Sequence, residues 1–383
     1  MSAAKSILVL NSGSSSLKFG LFRPGSSDEV PELEGSAEGI GRSDGSLRVR
    51  DAEGKILLEK QHLLESQEDA LRTVSSVLKD HGSEICAVGH RVVHGGPHLV
   101  EHQRITSSVI ETLEQSVHFA PLHIPQSLKL LKQAQKIFSS VPHFACFDTA
   151  FHRTLPELSA RFPLPNQYFE QGVRRYGFHG LSYESLVHRL GSKLPARAVF
   201  AHLGNGSSLA AVHSGCSIDT TMGLTPAGGV LMGSRSGDLD PGLMIYLART
   251  EKKNPDQLEE FINHNCGLAG LCDGESDMQA LLERDAAGDS TASLAVNAFC
   301  TTIRKTVGAY AALMGGIDLL VFTGGIGLHS EAIRHKVCDG LTFLGLKGET
   351  DPASNVLALK TEEELQIARH VRRLLSPEEA PVL

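Results

Sequence analysis

Three short apolar runs, 6–10 (SILVL), 198–202 (AVFAH) and 318–324 (DLLVFTG), each break off into a turn made of glycine, serine or asparagine. Runs of that length suit buried strands, and small residues after them let the backbone close on a ligand at the strand's carboxyl end. Periodic helices fill the intervals. SQEDALRTVSSVLKD starts on a capping-box-like pair, Ser66 and Asp69, and sets Ala70, Leu71, Val74, Val77 and Leu78 on one face. Residues 125–138 carry Pro125 in a first turn, 143–147 (HFACF) form a strand, 289–313 a long helix, and further helices start near Ser330 and at EEELQIARHVRRLL. Strands alternating with helices predict an α/β fold.

The run 6–10 and residues 17–22 make a hairpin about the turn 11–16, and AVFAH and LAAVH make another about LGNGSS (203–208). Ser-Ser-Leu recurs at 15–17 and 207–209, which points to an internal duplication. A chain of 383 residues has room for two or three domains of roughly 150 residues, and no low-complexity linker separates the halves. Apolar residues at 41% and charged residues at 21% exclude a disordered or fibrous chain. A net charge of −8 argues against a nucleic-acid partner. The seven cysteines show no CxxC or zinc spacing, and no apolar run approaches a membrane span, so a cytoplasmic protein with reduced thiols and no membrane partner is expected.

NSGSSSLK (11–18) combines small side chains, hydroxyls and Lys18, which suit a phosphate cradle or, equally, a plain hairpin turn. It is not a Walker A loop, since the GxxxxGK[ST] order is absent and a strand follows. HLGNGSS (202–208) and GGIG (324–327) add two more small-residue turns, and a triphosphate needs several donor sets. GHRVVHGG and MGSRSGDLDPG place Arg91 and Arg235 in glycine-rich surroundings, as an anion clamp or as loop ion pairs, for example with Asp238 or Asp240. His179 in RRYGFHG is either a core histidine or a donor to a transferring group. Asp148 ends a strand, where open α/β sheets place ligands, or caps the next segment; Glu363 suits a helix start on dipole grounds alone.

NSGSSSLK, GHRVVHGG, HFAPLH, FDTAFH, RRYGFHG, HLGNGSSLAA, MGLTP, GSRSGDLDPG, FTGGIG and EEELQIAR follow one another in the order and spacing of the acetate kinase family, and the chain resembles it from residue 7 to about 372. The resemblance implies duplicated ribonuclease H-like domains of the acetate and sugar kinase/actin superfamily with a cleft between them. Residues 1–150 plus about 366–383 would form one domain and 151–365 the second, which carries the nucleotide and the homodimer contact. It implies ATP/ADP as co-substrate, acetate or another short-chain carboxylate as acceptor, acetyl phosphate as product, and Mg2+ or Mn2+. By motif, Asn11 and Glu363 would serve the metal, and Ser14, Ser16 and Lys18 the phosphates. Arg91 and Arg235 would flank carboxylate and γ-phosphate, His179 would hydrogen-bond the phosphoryl, and Asp148 would act at the metal or as an acid/base. His202, Leu203, Gly204, Asn205 and Gly206, then Asp277, Met278 and Gln279, and Gly324, Gly325, Ile326, Gly327 and Leu328 would line the nucleotide. Val93, Leu122, Phe178 and Pro226 would line the acyl tail. Ile124, Leu328 and Gln279 depart from the family's usual residues, two of them on the adenine and ribose side, so the resemblance leaves base preference open.

A carboxylate acceptor is ionised at neutral pH and needs no general base; what opposes reaction is repulsion between two anions. Asp148 is therefore expected to orient metal rather than accept a proton. A propionate kinase differs by one methylene in an apolar pocket, worth only about 1–3 kcal/mol. A sugar kinase would need a base and a polar pocket. An actin- or chaperone-like ATPase would not need Arg91 and would carry a polymer or peptide contact.

Overall fold

The computed structural model describes residues 5–13, 16–24, 30–41, 45–61, 64–346 and 354–375. They group into two compact units, Met1–Ala150 with Glu362–Leu383, and Phe151–Thr361.

In the first unit the strands are β1 (Lys5–Ser12), β2 (Leu17–Phe22), β3 (Leu33–Glu38), β4 (Ser46–Asp51), β5 (Ile56–Gln61), β6 (Glu84–Val92), β7 (Gln103–Arg104) and β8 (His143–Phe147). They form one mixed sheet in the order β5-β4-β3-β2-β1-β6-β8-β7. The hairpin β1–β2 closes on the pair Ser12–Leu17, and β6 lies parallel to β1. A parallel neighbour requires a crossover, and the helix Gln67–Asp80 supplies it, with Ser66 capping the Asp69 amide. Leu8, Leu10 and Val88 face that helix through Leu71 and Val74.

The opposite face of β1 and β6 is covered by the last helix, Glu363–Leu375, which buries Leu365, Ile367, Ala368 and Val371. Its approach depends on Gly89: a methyl group there would lie 2.7 Å from Cγ2 of Ile367 and 2.8 Å from Cγ2 of Val371. This helix is continuous from Glu363, so the chain re-enters the first unit at Glu362 and not near 366 as expected from sequence. Glu363 belongs to the first unit as a result.

The second unit contains β9 (Arg197–Leu203), β10 (Ser207–His213), β11 (Cys216–Thr220), β12 (Leu319–Thr323) and β13 (Val356–Ala358) in the order β11-β10-β9-β12-β13. The pairing along this sheet is antiparallel, antiparallel, parallel, parallel. The run β3-β2-β1-β6-β8 repeats it pair for pair. The duplication read from the sequence is thus a repeat of topology. Its hairpin-closing pairs, Ser12 with Leu17 and Leu203 with Ser207, match Leu17 to Ser207, so the Ser-Ser-Leu alignment is two residues out of register. The 25-residue helix Ser290–Met314 packs Val296, Phe299, Ile303 and Val307 against β9 and β12 through Val199, Leu320 and Phe322.

Gly89→Ala should force the last helix off the sheet and cost about 1–3 kcal/mol, read as a lower midpoint of urea unfolding; an unchanged midpoint would show that the helix is not seated as described.

Candidate active site

In each unit the chemistry-bearing residues gather where the central parallel strands end. In the first unit Asn11, at the end of β1, is buried and donates through Nδ2 to Oε2 of Glu363 at 3.1 Å and Oε1 of Glu364 at 2.8 Å. Both glutamates stand in the first turn of their helix, where exposed backbone N–H groups favour acids. Burial pushes the Glu364 carboxyl up, Glu363 beside it adds to the rise, and its own backbone amide, Lys18 and Asn11 oppose it. Glu364 is a neighbour that sequence reasoning missed, although the run EEE contained it.

Arg91 is not in a loop, as expected, but on β6, which runs on to Val92 because β8 pairs with it as far as Phe147. Its Nε and Nη2 both donate to Oδ2 of Asp148, at 2.9 and 2.5 Å. Nη1 reaches Oδ1 of Asn11 at 3.3 Å and the Ser12 carbonyl at 3.4 Å. Burial works against the charge of Arg91, but Asp148, Glu363 and Glu364 more than offset it and hold the guanidinium above its ordinary proton affinity. The Arg91–Asp148 ion pair was not read from the sequence, which considered each residue by itself.

The turn after β1 is clasped from outside. Gln67 donates through Nε2 to the carbonyls of Gly13 (2.7 Å) and Ser16 (3.3 Å), and Gly13 N–H bonds Ser16 O at 2.9 Å. Ser14 lies outside the described residues. Lys18 is exposed and paired in register with Asn11.

In the second unit the turn 204–206 between β9 and β10 is met by three things. The loop holding Arg235 is tied to it by Gly233 N–H on Asn205 O at 3.1 Å. A methyl group on Gly206 would lie 3.2 Å from Arg235 Nη1 and 3.6 Å from His179 Nε2, so both groups face this glycine. A methyl on Gly204 would lie 3.9 Å from the Gly325 amide, so the GGIG segment abuts the same turn. Arg235 Nη1 donates to Pro226 O at 3.3 Å. The suggested partners are engaged elsewhere: Asp238 accepts from Gly229 N–H and Asp240 from Gly242 N–H, both at 2.7 Å.

His179 is a non-glycine residue with φ 58 and stands directly before the helix Gly180–Leu190. It stacks on His202 at 4.2 Å, whose Nδ1 lies 2.8 Å from Ser182 Oγ. The backbone leading to it is fixed by His152. His152 Nε2 donates to Phe178 O at 3.0 Å while Nδ1 accepts from Ser217 Oγ at 2.7 Å. Burial lowers the His152 imidazole to about 4, so it stays neutral there.

Several residues expected to line ligands do not present their side chains. Leu203 and Met278 belong to the hydrophobic core, Gly327 is buried, and Phe178 is enclosed at 1% exposure. For Leu203 on its strand and Met278 on its helix the reason is phase, which turns the apolar side chain inward. Asp277 caps the next helix at the Ala280 amide, and Gln279, exposed, reaches Glu283 Oε1 at 3.2 Å. Ile326 packs on the core, and the Gly327 and Leu328 carbonyls accept from Arg334 Nη1 at 3.1 and 2.9 Å. Of the acyl-tail set, Val93 and exposed Leu122 lie in the first unit, Phe178 and buried Pro226 in the second.

Residues 6–373 match the model of the acetokinase family. The chain belongs to that family. It is 41% identical to the acetate kinase of Coprothermobacter proteolyticus, over 95% of this chain and 97% of that one. It is 39% identical to the propionate kinase of Citrobacter rodentium, over 96% of each. Among solved structures, a propionate kinase from Francisella tularensis matches at TM-score 0.88 with 34% identity, covering 96% of this chain and 98% of that one. Porphyromonas gingivalis acetate kinase matches at 0.84 with 35% identity, covering 97% and 100%. As a member of the acetokinase family the chain is a phosphotransferase, on an α/β fold with two mixed sheets.

Asp148→Asn keeps the shape of the Arg91 partner but not its charge. With Asp148 buried and Arg91 mostly so, the variant should lose about 3 kcal/mol or more of stability. A thermal unfolding midpoint equal to that of the parent chain would show that the pair contributes nothing to holding Arg91.

Proposed function

We propose that the chain transfers the γ-phosphoryl group of ATP to acetate, reversibly, giving acetyl phosphate and ADP by direct in-line displacement. The observation that carries this reading is the convergence of Arg235, His179 and the turn 204–206 around one glycine, in a chain of the acetokinase family. A carboxylate nucleophile needs no base, so cationic donors and open backbone N–H groups are what the reaction lacks in water. Arg235 and His179 supply positive charge and a hydrogen-bond donor to the phosphoryl group, and the turns 204–206 and 324–327 supply N–H groups to the nucleotide. An arginine in that role is typically worth roughly 10³–10⁵ in rate.

Arg91 is assigned to the carboxylate. Its five N–H groups make four contacts among the described residues, so a two-point grip on substrate requires it to release one of them, to Ser12, Asn11 or Asp148. Asp148 therefore acts first as the group that aims Arg91.

Asp148, Glu363 and Glu364 each offer the hard carboxylate oxygens that Mg2+ takes, and all three act on the charge of Arg91. Asn11 holds the two glutamates in place through its amide N–H groups. Bound there, Mg2+ or Mn2+ would offset charge on the phosphates. Ser16 and Lys18 are assigned to the phosphate side of the same cluster.

Propionate is the second acceptor to consider, because relatives of both names match at similar identity. A cytoplasmic location is supported by seven cysteines, none of which forms a disulfide. No described helix is long and apolar enough to cross a membrane. A homodimer through the second unit is supported by the helix Pro241–Thr250, which buries only Leu247 and exposes Leu243 at 37%, Ile245 at 53% and Tyr246 at 59%.

Trapping the product with hydroxylamine, with acetate, propionate and butyrate offered against ATP, GTP and pyrophosphate, should give acyl hydroxamate from acetate and ATP; no hydroxamate from any pair would end this reading. Arg235→Ala should lower kcat by about 10³ or more with the nucleotide KM little changed. A change confined to KM would assign Arg235 to nucleotide binding instead. Replacing Ile245 and Tyr246 together by Glu should halve the mass seen in sedimentation, whereas an unaltered mass would place the subunit contact elsewhere.

A further inference from the structure

The hydrogen bonds behind His179 have a direction that can be found by counting hydrogens. His179 Nδ1 lies 2.8 Å from Ser208 Oγ. Ser208 Oγ is 2.6 Å from the Tyr183 hydroxyl, and that hydroxyl is 2.9 Å from the Ser208 carbonyl oxygen. One assignment makes all three contacts hydrogen bonds: the Tyr183 hydroxyl hydrogen goes to the carbonyl oxygen, which only accepts. The 2.6 Å contact is then donated by Ser208, which spends its own hydroxyl hydrogen on Tyr183. In that assignment Ser208 Oγ accepts from His179, and the hydrogen between them sits on Nδ1. Tyr183 is fully buried, and burial pushes its phenol well above the usual range, so it keeps its proton.

We propose that Tyr183, acting through Ser208, is a positioning residue that fixes neutral His179 as the Nδ1–H tautomer, so that Nε2 donates to the transferring phosphoryl group only when the ring is an imidazolium. The second half rests on the reading above that His179 serves that group. Nε2 is the nitrogen on the working side, since it lies with Arg235 Nη1 around Gly206. A neutral ring of this tautomer turns a lone pair toward anionic oxygen, which opposes transfer. Among the titratable or charged groups facing the ring are His202, stacked at 4.2 Å with its Nδ1 on Ser182 Oγ, and Arg235. They bear on the pH at which the ring titrates, but they do not occupy Nδ1. In Tyr183→Phe the Ser208 hydrogen is released and can turn to Nδ1, which hands the neutral ring's hydrogen to Nε2.

The test uses the full chain with 15N-labelled histidine, and His179→Asn identifies the His179 resonances. Above the pH at which the ring titrates, Nδ1 should give a protonated-nitrogen shift and Nε2 an unprotonated one. Tyr183→Phe should mix or reverse the two. In kinetics, kcat should fall tenfold per pH unit on the alkaline side, and in Tyr183→Phe that fall should move up by about one unit or more, or flatten. Ser208→Ala, which removes the acceptor, should likewise abolish the uniform Nδ1–H tautomer and serves where Tyr183→Phe does not fold. A neutral His179 with its hydrogen on Nε2 in the parent chain overturns the tautomer. An alkaline limb of unchanged position in both variants overturns the link to catalysis. Parent-level kcat in His179→Asn overturns the phosphoryl role alone, because the tautomer is read from the spectrum.

Discussion

Asn11 is a single amide that holds two like-charged side chains, Glu363 and Glu364, and offers its oxygen to the guanidinium of Arg91. The first unit is organised by this contact. An amide can do so because it presents donors on one side and an acceptor on the other, which neither a carboxylate nor a lysine does. The contact joins residues more than 350 apart in sequence, so it exists only if the last helix returns to the sheet that the chain began with. Gly89 gives that helix its seat, and the helix's first turn gives the glutamates a favourable place to be charged. Remove the helix and Arg91 retains Asp148 but loses the acids behind Asn11. The polar cluster and the fold therefore specify one another.

The two sheets repeat one topology yet carry opposite chemistry at the same place. After β1 and β6 the first unit offers an arginine among three carboxylates; after β9 and β12 the second offers glycine turns, two stacked imidazoles and an arginine. A strand–turn–strand followed by parallel strands leaves its backbone N–H groups at one edge in either copy. What differs is the side chains set there.

Most of the central strands and the long helices were legible because periodicity and caps are local signals: Ser66, Pro125 and the runs at 143–147 and 198–202 fall on the elements they predict. The meander β3 to β5 was not, because it lies at a sheet edge, where β5 exposes most of its residues and has no apolar alternation to reveal it. At the site, residue type was legible and partnership was not. Arg91 and Asp148 each stood out singly, but their pairing follows from β6 and β8 lying side by side, which no spacing records. Leu203, Met278 and Phe178 show the limit of a motif, which marks a stretch of chain without saying which of its side chains turn inward. Tyr183 left no local signal at all: within a helix it reads as an ordinary core aromatic, and only the fold lays its hydroxyl on Ser208.

His179 concentrates the consequences. Left-handed backbone at a non-glycine residue costs on the order of 1–3 kcal/mol unless the surroundings impose it. Here they do: His152 holds the Phe178 carbonyl, Gly177 leaves the space that the His152 ring fills, and the imidazole is fixed between Ser208 and His202. A ring restrained at the backbone, at one nitrogen and across its face has little freedom left except to gain or lose a proton. For phosphoryl transfer between two anions that is the useful freedom to keep. A donor that need not reorient adds its charge where charge is developing, and pre-set dipoles in a partly dry site act more strongly than mobile ones in water. The strain at residue 179 is thus opposed by neutral, buried hydrogen bonds that lie one layer behind the chemistry.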